Sequence, residues 1–193
     1  LDGNITINEG DLDDTGILAD VHAVLVSEGM GSSIIVNADI KPNLNVAGGL
    51  IVGLTAGNDV DVNADISAVN GQLVIVAKNN QLDGAPTDGV NLAGGTVLMN
   101  QGDDIMIFAR NESDVWLNQV LGDGIVSVEA ERHIWDNNGA ANNVTTAFLR
   151  LKADTNGDQS GQVGGVPSVN DVPMTNLNAI DTAVGTLAAI SAD

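Results

Sequence analysis

The sequence predicts an all-β fold, a parallel β-solenoid whose coils average about 23 residues and carry inserted loops at their corners. Three observations carry that prediction. One phrase returns along the chain: alternating apolar positions, then Ala or a polar substitute, then a turn rich in Gly, Asn and Asp. Hydrophobic residues make up 44% of the chain but aromatic residues only 2%, so Val, Ile, Leu and Ala must fill the interior. Uniform stacked layers suit such small, similar side chains. Between the phrases lie apolar cells of only a few residues, bounded by turn residues that tolerate φ > 0.

The phrase appears as SSIIVNAD, LIVGLTAGND, QLVIVAKNN, TVLMNQGDD, IVSVEAER and FLRLKADTNGD. Its closing residue or equivalent is Ala38, Ala56, Ala77, Gln101, Ala130 and Ala153, and the mean spacing from Ala38 to Ala153 is 23 residues. The shorter cells are Val60-Asp61-Val62, Ile66, Val90-Asn91-Leu92, Ile105 to Phe108, Val115-Trp116-Leu117 and Ile134-Trp135. Two or three short strands per repeat make one coil, and about eight coils fit the chain. Period-two alternation puts Leu73, Ile75 and Ala77 on one face, and likewise Leu149, Leu151 and Ala153, with Arg150 and Lys152 toward water.

Two segments are too polar for strand, Asn79–Gly89 and Asn137–Asn143, and are expected as corner loops. The chain divides into a repeat region, residues 1–161, and residues 162–193, a loop plus a connector to a following coil or a neighbouring subunit. Pro167 and Pro173 mark the loop. Beyond it Ile180, Val184 and Leu187 are spaced as on a helix face, so a short helix and a strand both stay open.

Leu54 to Val62 (LTAGNDVDV) and Gly3 to Ile7 (GNITI) resemble the repeats of filamentous-haemagglutinin-type adhesins and other giant bacterial surface proteins. The segments Lys152–Gly161 and Asp181–Ala189 resemble connectors between coils in such proteins. The likeness covers residues 1 to about 165. It implies a right-handed parallel β-helix, an extracellular or cell-surface location and a structural or adhesive role, with no catalytic residue to carry over.

A net charge of −20, from 26 acids and 6 bases, disfavours nucleic acid and membrane surfaces and favours divalent cations as partners. No cysteine is present, and no apolar run reaches the length of a membrane span. The start lacks both an initiator Met and a signal-peptide pattern, so a mature product or an excised part is expected.

The sharpest ligand pattern is Asp154, Asn156, Asp158 and Ser160, oxygen donors at alternate positions as at the start of a calcium loop. Gln159 and Gly165 stand where an EF-hand has its Gly and its Glu, so a solvated turn is the competing reading. Asp103-Asp104, Asp11 with Asp13-Asp14, and Asp59 with Asp61 are further acid pairs at turns; Asn58, Asn63, Asn79, Asn80, Asn137 and Asn138 are candidates for stacked amides. His22 and His133 are the only histidines; His133 lies among acids in EAERHIWD, where solvent exposure competes with metal binding. Trp116 and Trp135, one coil apart, are expected to stack, buried as filling or exposed as a sugar platform.

The expected function is therefore a structural or adhesive segment of an extracellular surface protein or filament. Its partners would be identical copies or flanking repeats joined head to tail, a surface polysaccharide or a host receptor. The alternative is a polysaccharide-binding or polysaccharide-cleaving β-helix, for which Arg110 and Arg132 would have to meet on adjacent coils. A third reading is an antiparallel, cadherin-like sandwich with calcium at its junctions.

Overall fold

The computed structural model describes residues 3–9, 15–43, 49–79, 88–157, 161–164 and 179–190. Its strands fall into three rows. The first row is a six-stranded sheet in the order β1 (Ile5–Ile7), β4 (Ile34–Val36), β7 (Val60–Val62), β10 (Gly89–Leu92), β13 (Asp114–Leu117) and β16 (Ile134–Asp136). The second runs β2 (Thr15–Ala19), β5 (Asp39–Pro42), β8 (Ile66–Val69), β11 (Val97–Gln101), β14 (Gln119–Gly122). The third runs β3 (His22–Ser27), β6 (Ile51–Ala56), β9 (Leu73–Ala77), β12 (Ile105–Ala109), β15 (Ile125–Ala130).

Strand β17 (Val144–Lys152) serves two rows at once. Its Val144 and Thr145 pair with β14, and its Phe148 to Lys152 pair with β15, which joins the second and third rows into one sheet. Strand β18 (Thr182–Ile190) then lies along the length of β17. Every pairing between these strands is parallel; the antiparallel contact among the described residues is an isolated bridge, Leu50 to Val69. That excludes the antiparallel sandwich.

The alternation seen in the sequence explains the packing. In β9 the burial runs in, part-out, in, part-out, in, so Leu73, Ile75 and Ala77 are interior, as expected. Leu149 and Leu151 are interior too. Parallel register then aligns like with like. Val52, Leu73, Ile105, Val126 and Leu149 form one buried column, and Leu54, Ile75, Ile107, Val128 and Leu151 form the next. Each such aliphatic side chain contributes about 1.5–3 kcal/mol by leaving water. The buried hydrophobic cluster contains no aromatic residue, as the composition requires.

A third column, Ala56, Ala77, Ala109, Ala130 and Ala153, is the alanine marker of the repeat, but two of its assigned members were misplaced. Ala38 precedes β5, and Gln101 ends β11 opposite Val69 in the second row. The layer partner of Ala77 is Ala109, at the end of IMIFA. The reason is physical: strands of all three rows meet the same burial demand, so their phrases look alike.

Turns obey the close spacing of layers. Gly89 has φ +125°, and a Cβ there would run into the carbonyl oxygen of Asp114 on the neighbouring strand. Asn70, Asn79 and Asn111 also take positive φ, at turns after β8, β9 and β12. Residues 137–143 are a non-strand turn, as expected; of the other expected loop, residues 80–87 lie outside the described residues. The helical spacing of Ile180, Val184 and Leu187 is overridden, because β17 offers a strand edge along its length and residues 182–190 pair with it.

Candidate functional site

The acids are concentrated at turns, and the geometry gives many of them one job. A carboxylate in one layer accepts a backbone N–H from the next. Asp39 Oδ1 accepts from Asp65 N at 3.1 Å, and Asp65 Oδ1 from Val97 N at 2.8 Å. Asp59 takes Gly89 N at 2.9 Å, Asp104 takes Ile125 N at 2.8 Å, and Asp114 takes His133 N at 3.0 Å. Amides do the same along another edge: Asn63 donates to Asn37 at 2.9 Å, and Asn37 to Asn8 at 3.1 Å. The stacked-amide expectation holds for Asn63, with Asn37 and Asn8 as partners the sequence reading passed over. An open groove of about 400 Å³ follows these turns, lined in part by Glu9, Asn37, Asp39, Asn63 and Asp65.

On the outer face of the six-stranded sheet, one register row reads Thr6, Ile35, Asp61, Asn91, Trp116, Trp135. The two indoles stack with centroids 5.9 Å apart and planes at 39°, and His133 sits 4.4 Å from the Trp135 ring. Trp135 is buried, at 5% exposure, and its Nε1–H donates to Asp114 at 2.9 Å. Burial was expected, but on this outer face rather than in the aliphatic core. With one ring covered, the pair presents no two-ring sugar platform. Burial pushes the Asp61 carboxyl above its ordinary value, with a hydrogen bond from Asn91 pulling the other way.

The basic residues are absorbed by acids. Glu129 lies between Arg150, which hydrogen-bonds it, and Arg110 at 3.5 Å, whose guanidinium also covers Phe108 at 4.9 Å. Burial raises the Glu129 carboxyl, but the two arginines outweigh it and hold the group below its ordinary range. Arg132 goes elsewhere, to Asp114 at 3.5 Å and the Glu112 carbonyl at 3.3 Å. Arg110 and Arg132 therefore end on different carboxylates, and the sequence's candidate groove is not assembled from them.

Of the calcium-loop residues, Asp154 is buried with φ 56°, its N–H donates to the Arg132 carbonyl, and its own carbonyl accepts from Gly157. Asn156 is in the same turn; Asp158 and Ser160 lie outside the described residues, as do Asp11, Asp13 and Asp14. The acids around His133 turn away from it: Glu129 faces arginines, and Glu131 accepts Glu112 N. No group of three or more His, Asp or Glu is arranged to hold a metal ion among the described residues. No helix among them is long and apolar enough to cross a membrane. No family model, curated protein or solved structure matches the chain.

Proposed function

We propose that the chain is a β-solenoid whose role is structural or adhesive: an extracellular rod segment that keeps a surface in place and takes identical copies as end-on partners. The observation that supports it most is the pairing rule. Strands of one row pair with the strand three places later, in parallel, through separations from 19 residues (Val115 to Ile134) to 38 (Leu149 to Leu187). Such a rule spends the chain on length: each turn of chain buries its inward face on the next and leaves ladders of turns outside. The acids and amides of those turns are engaged in inter-layer bonds, and the arginines in ion pairs, which suits a rod better than a reaction centre.

The chain has no cysteine, so paired spin labels can be placed at will. In the outward row Val24, Gly53, Val74, Met106, Ser127, Arg150, label separations should grow by about 4.8 Å per layer, reaching about 24 Å from Val24 to Arg150. Distances that fail to rise with layer number would sink the solenoid. Depolymerisation of an acidic polysaccharide by the purified protein would sink the non-catalytic role.

A further inference from the structure

The edge of β18 turned away from β17 pairs with no strand among the described residues. Its side chains show the consequence. Leu187 stands in register with Leu149 and so belongs to the column Ala23, Val52, Leu73, Ile105, Val126, Leu149. The six earlier members are at most 5% exposed, whereas Leu187 is 52% exposed, and Ile190 on the same strand is 56% exposed. At the opposite outer layer the inward positions of β3 are already covered: Ala23 is 5% exposed and Ser27 0%, its hydroxyl donating to the Gly3 carbonyl. One outer layer is open and the other is closed.

That asymmetry decides the partner. A surface that repeats head to tail needs two open, complementary ends; a single open end pairs with its own copy through a two-fold contact. Natural edge strands are blunted with charge, yet Thr182–Ile190 contains no Asp, Glu, Lys or Arg in a chain of net charge −20. Two copies can meet here without the like-charge repulsion the rest of the surface would impose.

The register also suits it. Inward positions of β18, taken from their partners Val144, Thr146, Leu149 and Leu151, are Thr182, Val184, Leu187 and Ala189. A two-fold axis between Gly185 and Thr186 sets Val184 against the other copy's Leu187, Thr182 against its Ala189, and outward Ala183 against its Ala188. Every inward residue meets an inward residue, and the core continues across the joint.

We infer that β18 is a self-association edge, through which two copies join end to end by antiparallel strand pairing into a closed dimer. This rests on the stacked-rod reading of the fold. The full chain should sediment as a concentration-dependent dimer of about twice 19.7 kDa and stop there. Leu187→Lys should weaken association at least about tenfold, because a charge with no acid opposite it would be desolvated. Ala188→Lys, an outward and exposed position, tests the same edge without touching the core and should weaken it likewise. Thr186→Cys should give a disulfide-linked dimer under mild oxidation, since the two-fold axis brings the two residues together. Growth beyond dimers without that cross-link would mean head-to-tail stacking and overturn the inference. So would a protein that stays monomeric at every concentration while keeping its β-sheet spectrum and label-distance series, a result that leaves the rod reading standing. A failed distance series would strike the rod reading itself.

Discussion

Asp61 and Glu129 are two outward carboxyls displaced in opposite directions by their neighbours. Asp61 is held above the ordinary 3.8 by burial, so the folded state takes up its proton more readily than the unfolded one. Its charge therefore costs stability above the raised folded value, and that cost disappears as pH falls toward 3.8. Asp61→Asn should raise Tm at neutral pH, with the gain over wild type vanishing in acid; a thermal melt series across pH checks it. Glu129 has the reverse sign. Its arginine contacts keep it below 4.5, so its contribution is present above that pH and lost as pH falls through the lower folded value. Glu129→Gln should lower Tm at neutral pH and converge with wild type in acid.

At the scale of the strand, the alanine column sets the local gap between rows. Ala77, Ala109 and Ala130 are fully buried and stacked in register, so a larger side chain has no free volume to enter. Ala109→Leu should destabilise by about 1–3 kcal/mol in denaturant titration, although Leu is the more hydrophobic residue. Little change would mean that the column borders a void. The strand scale is also where sequence phrasing misled. TVLMNQ and LVIVA obey one alternation, yet they lie in different rows, because row membership depends on which layer partner a strand meets and not on its own pattern.

For the whole molecule, charge is the dominant long-range term. The inter-layer bonds require acids at successive turns, which sets carboxylates of neighbouring layers close together, as with Asp39 and Asp65. Net charge of −20 then works against compactness, and salt relieves it. Raising sodium chloride from about 10 mM to about 0.15 M shortens the screening length from about 30 Å to about 8 Å and should raise Tm. A Tm that is flat or falling with salt would show that the turn carboxylates are already balanced locally.

The sequence alone determined what any short stretch must do. Alternation fixed which of Leu73, Val74, Ile75 and Val76 face inward, the scarcity of aromatics predicted an aliphatic interior, and Gly and Asn marked turns. These are local properties, set by pleat and by allowed φ. The tertiary structure decided the rest: that Ala109 is the layer partner of Ala77, that Arg110 meets Glu129 while Arg132 meets Asp114, that Trp135 is covered outside the core, and that residues 182–190 are strand. Each depends on partners roughly one layer of chain away, and the length of chain between layers varies, so no fixed spacing encodes them. An edge such as β18 is legible only once its neighbour β17 is in place, because what makes it an edge is the absence of a next strand among the described residues.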